Sequence, residues 1–540
     1  MKSDTEGGSI SAGAAAWMAA VLLLLPAAIL FFSSAKLHYP TAQWDGWAID
    51  AAQAIRAGTF SDKPYLIHPP LYLYLLSWFQ PLFHGGLLEG ARLFNFSCYL
   101  LTGWLVFLLS GKLAGGKARL TAGIMGAALY FTSPLAAQGI FLLDLGDTGP
   151  VPAAAAAYFC LLFYGGGSLR FAALSAAFAL NLWAKFIHSL FLVLAALAVT
   201  LTGEKDGRAR ANMFAQATGF ILFISTWAIY AYTSLQPADQ WGPLEYFVRE
   251  MLLNYQRQDL AAGPREMFIA RILAVARVML WLWPVLFLWA WRILKRGLGS
   301  GPEKFINYFI LIFMIGAWAS KGASNGFPKY HAALLPAVCA LCGAYAAEFF
   351  ADWRKSAGLR LAVLAAAAVF CVYLAGDPLY TFNYSLKEAL IRGAGLHAVV
   401  LKLGLQTLVI PALLICFFIA YGRPGEKTSA ATFSLVVSAF IWQAGMFGRQ
   451  AGGDYFTHYG YGTAGKEQVV RYVRDNFRGG TARGPNEFGW DLKTAGVFSP
   501  ELSDLCFIDR KCALAVMRDK DTSFFIFGQA SNTVDQVKYF

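Results

Sequence analysis

The segment between Tyr39 and Tyr72 holds side chains that can move protons or bind ligands. Asp45 precedes an apolar-patterned helix that is expected to run to Gly58, and His68 follows Asp45 by about 23 residues, in His-Pro-Pro-Leu-Tyr. Each residue also has a plainer role, because an Asp before a helix is usually an N-cap and a His before prolines is usually a turn residue. The whole pattern, rather than either residue alone, makes this segment a candidate for acid–base chemistry.

The composition indicates what kind of protein carries these residues. Of the 540 residues, 57% are hydrophobic and 14% are charged, and the mean hydropathy is +0.49. An ordinary soluble protein carries about 25% charged residues, and a disordered chain does not contain 16% aromatic residues as this one does. The sequence therefore predicts a membrane protein with many spanning helices.

The net charge of +12 does not indicate nucleic acid as a partner. Residues 449–540 carry nearly equal numbers of basic and acidic side chains, so the positive excess belongs to the apolar part of the chain. Short basic loops of this kind orient membrane helices against the cytoplasmic leaflet. The sequence shows no basic stripe interleaved with aromatic residues, which nucleic-acid-binding proteins use.

Apolar runs long enough to cross a bilayer, roughly 20 residues, recur along residues 1–448. The first, from Gly7 to Ala35, exceeds the h-region of a signal peptide and predicts an anchor. The others lie at about 91–110, 120–142, 149–168, 171–187, 188–202, 211–233, 274–292, 305–320, 330–349, 361–376, 399–421 and 430–447. We therefore expect an all-α module of about 13 transmembrane helices.

Residues 171–202 are counted as two spans, although only Lys185 and His188 interrupt the run. One helix of this length would measure about 48 Å, too long for a hydrocarbon core of about 30 Å. Two spans also place the basic loops on one side, which is cytoplasmic by the positive-inside rule. The N-terminus is then cytoplasmic, and the polar segments 36–90, 234–273, 377–398 and 449–540 face outward.

This topology limits the chemistry to the outer side. The cytoplasmic loops are too short for a nucleotide-binding domain, and the sequence contains neither a P-loop nor a glycine-rich dinucleotide-binding turn. The first outer loop, 36–90, is the expected catalytic segment. Residues 449–540 are expected to form a small soluble α/β domain, with a helix at 466–477 and a buried strand at 524–527. Cys506 and Cys512 lie in this domain, and whether they form a disulfide stays open.

The order and spacing of these features resemble the GT-C glycosyltransferases of glycosyltransferase family 39, of the protein-O-mannosyltransferase and aminoarabinose-transferase type. Their first outer loop carries an acidic residue that opens a helix, followed by Lys/His-Pro-Pro-Leu-Tyr. Further matches are an acidic residue in the second outer loop, a lysine that ends the fifth span and a basic-Tyr…Pro segment. In this chain they are Asp144 or Asp147, Lys185, and Lys329-Tyr330-His331…Pro336.

The resemblance implies transfer of a sugar from a polyprenyl-phosphate carrier to a lipid, glycan or protein at the periplasmic face of a bacterial inner membrane. Asp45 is then the expected base. Asp147, with Asp144 as its competitor, orients the acceptor or, with Asp45, holds a divalent metal ion. The candidates for the carrier phosphate are His68, Lys63, Lys185, Lys329 and Arg257. The simpler alternative for all of these is an interfacial position, in which a long side chain extends its charge into water.

One position departs from the family pattern. Many members carry two adjacent acidic residues in the first loop, whereas Asp45 is followed here by Gly46. The next carboxylate is Asp50, about one helical turn further on. The resemblance therefore does not imply, for this chain, any role that needs two adjacent acidic residues.

Two other classes of membrane protein are alternatives to the glycosyltransferase. A secondary transporter usually has repeated halves with polar breaks in mid-span, and the sequence shows no matching interrupted pair. A lipid-linked oligosaccharide ligase generally carries its catalytic residues in a large late outer loop. The 377–398 loop holds only Lys387, Arg392 and His397 as candidates, so the glycosyltransferase is the preferred interpretation.

Overall fold

The computed structural model describes residues 12–38, 45–60, 69–82, 87–143, 146–163, 167–202, 207–235, 282, 285–319, 328–350, 395–407, 442–443, 466–483, 488–497 and 522–526. Most of these residues are helical. The helices are α1 (Ala12–Ala19), α2 (Leu25–Phe32), α3 (Asp45–Ala57), α4 (Leu71–Phe79), α5 (Leu87–Ala114), α6 (Arg119–Phe131), α7 (Pro134–Gly139), α8 (Pro150–Leu162), α9 (Ser168–Ala184), α10 (Phe186–Leu201), α11 (Gly207–Ser234), α12 (Gly301–Ala319), α13 (Leu335–Phe350), α14 (Leu396–Thr407), α15 (Lys466–Asn476) and α16 (Gly489–Thr494). Two short strands, β1 (Thr481–Arg483) and β2 (Thr522–Phe525), pair in parallel.

Four helical stretches among these residues are long and apolar enough to cross a membrane. They are Ala15–Phe32, Leu87–Ala114, Gly207–Ser234 and Lys329–Ala347. The first is 17% buried within the protein and the last is 94% buried, so the last is a central helix and the first a peripheral one. The predicted helical membrane architecture is confirmed at this level. The count of about 13 spans stays a prediction, because residues 351–394 and 408–441 lie outside the described residues.

The single helix predicted over 120–142 is divided in the structure. α6 ends at Phe131, Ser133 is extended, and Pro134 begins the short helix α7. Proline has no N–H to donate and restricts the residue before it to extended geometry, so one helix cannot continue through this point. The chain after α7 leads into the turn that carries Asp147.

The break predicted within 171–202 is confirmed. α9 ends at Ala184 and α10 begins at Phe186, and Lys185 between them has extended backbone, with φ −168° and ψ 123°. One residue therefore separates two apolar helices. Lys185 is also a candidate for the contact with the carrier phosphate. Because its backbone is extended, its side chain does not follow the direction that a helical residue would take.

Close approach of helices α5, α6 and α13 depends on glycine. A Cβ atom at Gly343 of α13 would overlap the backbone of Gly126 on α6 and lie 2.8 Å from Ser110 Oγ on α5. Small residues of this kind let membrane helices pack backbone to backbone. The cysteines Cys98, Cys160, Cys339 and Cys342 are free and buried, as expected of packing residues.

The described residues of the predicted first outer loop, 45–60 and 69–82, form a folded layer with its own apolar cluster. α3 and α4 pack on the beginning of α5 and bury Ile49, Leu73, Leu76 and Phe94 together. Burial of this set fixes α3 against α5. The first residue of α3, Asp45, is thereby held at the junction between the loop and the helices below it.

The C-terminal elements form a second, separate apolar cluster around Val473, Leu492 and Ile526. The predicted helix at 466–477 is confirmed as α15, and the strand predicted at 524–527 lies two residues earlier, as β2. The division of the chain into 1–448 and 449–540 stays a prediction. Cys506 and Cys512 lie outside the described residues.

Candidate functional site

Asp45 is the first residue of α3 and is fully buried. Its Oδ1 accepts a hydrogen bond from the backbone N–H of Leu143 at 2.9 Å, and its Oδ2 lies 3.5 Å from Nη2 of Arg92. A carboxylate in the first turn also suits the positive end of the helix dipole. The residue therefore joins three segments: the first loop, α5 and the loop that follows α7.

Arg92 is the residue of this site that the sequence analysis missed. Its guanidinium donates to the backbone carbonyls of Lys36 at 2.9 Å, Leu37 at 3.0 Å and Phe141 at 3.2 Å, besides its contact with Asp45. The planar five-donor group of arginine suits such a junction. A signal was present, because an ionisable residue at the start of an apolar run is a functional candidate. It could not be connected to Asp45, which lies 47 positions away.

The tyrosine of the His-Pro-Pro-Leu-Tyr motif contacts and orders the loop that follows α7. Tyr72 lies against Gly146, where a Cβ atom would be 2.9 Å from the ring and where the backbone has φ 78°. The Tyr72 hydroxyl donates to Asn95 Oδ1 at 3.4 Å, and Asn95 Nδ2 donates to the carbonyls of Leu142 at 2.6 Å and Gly139 at 3.2 Å. Glycine is the residue that adopts this backbone without strain. The motif thus positions the loop that carries Asp147.

Asp147 and Lys185 form a buried ion pair, with side chains 1% and 5% exposed. Asp147 lies in the turn before α8, and Lys185 is the extended residue between α9 and α10. Burial raises the pKa of Asp147 above its ordinary value, because the opposing effect of the Lys185 ammonium is smaller than the cost of losing water. The pair places an acid and a cation together away from bulk water.

A third segment, the 3₁₀-helix Pro328–Leu334, brings Lys329 and Tyr330 to the same region. The ammonium of Lys329 lies 5.0 Å from the centre of the Tyr330 ring, and that of Lys185 lies 5.6 Å from the same ring. Both distances are within the range of a cation–π interaction. Because both ammonium groups lie against one ring, Lys329 lies beside the Asp147–Lys185 pair, and the carboxylate of Asp45 is near enough to attract it electrostatically.

Asp45 also acts on the motif tyrosine. Burial, and secondly the negative charge of Asp45, raise the pKa of Tyr72 well above its ordinary value. The hydroxyl therefore stays protonated and keeps its role as a hydrogen-bond donor.

The structure brings together four of the residues that the sequence singled out: Asp45, Asp147, Lys185 and Lys329. The other four, Asp144, His68, Lys63 and Arg257, lie outside the described residues and stay predictions. Lys329 and Lys185 are 4% exposed each, so the interfacial alternative, in which the charge extends into water, does not describe them.

Asp50 does not supply a second carboxylate to this cluster. Five positions along an α-helix correspond to a rotation of about 140° from Asp45, and Asp50 is paired with Lys493 at 3.2 Å. Its side chain is 36% exposed, whereas Asp45 is 0% exposed. Asp45 is therefore the acid that the first turn of α3 contributes to the site, and Asp50 does not take the place of the paired acid.

The described residues do not form a metal site of three or more ligands. Among the residues that the structure describes, no group of three or more His, Cys, Asp or Glu side chains could hold a metal ion. Asp45 is matched by Arg92, and Asp147 is matched by Lys185. A divalent ion between the two carboxylates would have to displace both of these partners. The predicted metal stays a prediction.

The fold is similar to two solved structures of ArnT from Cupriavidus metallidurans. The structure of ArnT bound to undecaprenyl phosphate matches with a TM-score of 0.53 and 14% sequence identity, over 95% of this chain and 90% of ArnT. The apo structure matches with a TM-score of 0.54 and 14% identity, over 89% of this chain and 85% of ArnT. No protein-family profile matches the sequence, and no curated protein matches it. The comparison confirms the GT-C fold that the motifs predicted, across nearly the whole chain.

Proposed function

We propose that this chain is a membrane glycosyltransferase that moves a sugar from a polyprenyl-phosphate carrier to an acceptor at the outer face of the membrane. The observation that carries the proposal is a set of buried charges: Lys185, paired with Asp147, and Lys329 lie against the same Tyr330 ring, and the buried Asp45–Arg92 pair is close enough to act on Lys329. Further support comes from ArnT, which shares the fold and was solved with undecaprenyl phosphate bound.

In the proposed reaction the acceptor oxygen forms a bond to the anomeric carbon of the sugar. The bond between that carbon and the phosphate oxygen breaks, and the electron pair leaves with the polyprenyl phosphate. Asp45 accepts the proton of the acceptor as the attack proceeds. Its burial keeps bulk water away from the reacting groups, which limits hydrolysis of the donor as a side reaction.

The ammonium groups of Lys185 and Lys329 are the proposed contacts to the departing phosphate. Negative charge develops on that phosphate in the transition state, and a cation that is already in position stabilises it most. Asp147 holds Lys185, and the Tyr330 ring faces both ammonium groups. The proposal includes Lys63, His68 and Arg257 as further contacts to the same phosphate, and Asp144 beside Asp147.

The proposed location follows from the charge pattern of the sequence. It is a bacterial inner membrane, with the N-terminus in the cytoplasm and residues 449–540 in the periplasm. A polyprenyl-phosphate sugar would reach the cluster from the outer leaflet, and the acceptor would be a lipid, glycan or protein of the envelope.

The test is the Asp45→Asn variant. Asparagine keeps an oxygen that can accept from Leu143 N–H but cannot take up a proton, so transfer by the folded variant should fall about 10²- to 10⁴-fold. The substitution leaves the Arg92 guanidinium buried without its counter-charge, so folding of the variant in the membrane is verified before its transfer rate is compared. The matched control is Glu467→Gln, an exposed carboxylate on α15, which should keep full activity.

The product is found by mass spectrometry of envelope lipids, glycans and proteins from cells with the wild-type gene, the variant or no gene. Transfer is then measured with the purified protein and the carrier. Full activity of Asp45→Asn would remove Asp45 as the base. Identical envelopes with and without the gene would remove the glycosyltransferase.

A further inference from the structure

The short helix α16 of the C-terminal segment lies directly on the first turn of α3. A Cβ atom at Gly46 would overlap the Cβ of Trp490 and lie 3.1 Å from its Cγ. Both neighbours are fixed, because Gly46 is in a helix and the crowded atoms belong to the base of the tryptophan side chain. No residue larger than glycine fits at position 46 while α16 is docked.

Two further contacts hold α16 in this place. Lys493 pairs with Asp50 of α3 at 3.2 Å, and Trp490 packs against the apolar cluster of the first loop. Leu492, between them in sequence, is fully buried in the C-terminal cluster. The helix therefore presents one side to α3 and another to its own domain, and it connects the two.

Asp491 of α16 interacts with Lys466 and, through space, with Arg92, the partner of Asp45. It pairs with the ammonium of Lys466 at 2.6 Å, which anchors α16 to α15. It also acts through space on Arg92, the cation that faces Asp45.

We propose that α16 is a positioning element for the catalytic turn and that Trp490 is a positioning residue for Asp45. Helix ends open more easily than helix interiors, and Asp45 is the first residue of its helix. Trp490 on Gly46 holds that turn closed, so that the carboxylate stays in register with Leu143 N–H. The inference also explains why glycine follows Asp45, where a second acidic side chain would clash. It rests on the proposed function for the role of Asp45.

The first experiment uses the full-length protein in lipid and the variants Trp490→Gly, Gly46→Ala and their double. Hydrogen exchange of residues 49–51, whose N–H groups bond to the carbonyls of the first turn, reports the closure of the turn, and transfer kinetics report its effect. Each single variant should speed exchange at this turn and lower kcat about 10- to 100-fold, as misplacement of a reacting group does. KM for the carrier should change little, because Lys185 and Lys329 lie on other elements.

The double variant separates positioning from a general loss of stability. Trp490→Gly removes the atoms that a Cβ at position 46 would overlap, so the double should be no worse than Trp490→Gly alone. Trp490→Phe, which keeps an aromatic ring, should restore most of kcat. The control is Gly13→Ala, since Gly13 is helical and has no neighbour within 4 Å of an added Cβ. Independent, multiplying effects of the two substitutions would overturn the proposal.

A charge exchange tests docking without altering the packing. Asp50→Lys and Lys493→Asp should each speed exchange at the first turn of α3, and the two together should restore it. The Glu467–Arg471 pair on α15, exposed and away from α3, is the control and should have no effect when exchanged. If wild-type protein transfers no sugar, the proposed function fails. Exchange then still decides the docking: unchanged exchange in Trp490→Gly overturns it, and faster exchange supports it.

Discussion

The buried pair Asp147–Lys185 can be taken apart one charge at a time. The variant Asp147→Asn leaves the Lys185 ammonium, 5% exposed, without its counter-charge. Removing one partner of a buried pair costs about 3–5 kcal/mol. The Tyr330 ring lies 5.6 Å from this ammonium in the wild-type protein as well, so it does not offset the loss. We therefore expect the free energy of unfolding to fall by about 3–5 kcal/mol.

The variant Lys185→Met leaves the Asp147 carboxylate buried instead. Protonation removes its charge, and for a group of ordinary pKa near 3.9 this limits the cost at pH 7 to about 4 kcal/mol. Burial raises the pKa of Asp147 in the folded state, so the folded state binds more protons than the unfolded state. This contribution to stability is complete below the ordinary carboxyl pKa and is lost as the pH rises through the raised value. Lowering the pH should therefore stabilise Lys185→Met and leave Asp147→Asn nearly unchanged.

The double variant Asp147→Asn/Lys185→Met should recover most of the stability, because no buried charge remains. Transfer should stay low, because the proposed phosphate contact is lost. The assay is reversible unfolding in mixed detergent micelles at several pH values, with sugar transfer measured on the same samples. Two single variants as stable as wild type, with no coupling between them, would refute the reasoning.

Three further substitutions test the positions of neighbouring residues. Arg92→Lys keeps the positive charge, but an ammonium cannot reach all of the three carbonyls and the carboxylate that the guanidinium reaches. Each carbonyl left without a donor costs about 1–3 kcal/mol, so we expect a loss of about 2–4 kcal/mol, and wild-type melting behaviour would contradict this. Tyr72→Phe should cost less than about 1 kcal/mol in unfolding free energy, since its bond to Asn95 is long at 3.4 Å, and a larger loss would mean that the hydroxyl has a further role. Gly343→Ala should cost about 1–3 kcal/mol in thermal or chemical unfolding by forcing α13 away from Gly126, and an unchanged midpoint would show that the helices are not so close.

Much of the architecture could be predicted because it depends on local properties. A break between spans 171–187 and 188–202 followed from helix length against bilayer thickness and from the positions of the basic loops, and the structure places the break slightly earlier, at Lys185. The break at Ser133–Pro134 was missed although a proline marks it, because the apolar run continues through it and hydropathy alone does not register backbone geometry.

The candidate site was predicted only in part, since its contacts join distant positions. Asp45 and Asp147 were found through motif order, whereas Arg92 and Asn95 had no motif to mark them. Their roles depend on hydrogen bonds to backbone carbonyls of other segments. Such bonds are formed by main-chain groups that every residue carries, so they leave no trace in residue type.

The sequence by itself determined that this is a helical membrane protein and which acids and cations stand at the ends of its apolar runs, because hydropathy and motif order are properties of neighbouring residues. Tertiary structure alone decided which acid meets which cation, that Asp50 turns away from Asp45, and that Trp490 occupies the space beside Gly46. The physical reason is that pairing and steric exclusion depend on distances between atoms far apart in the chain, and these distances exist only once the helices have packed.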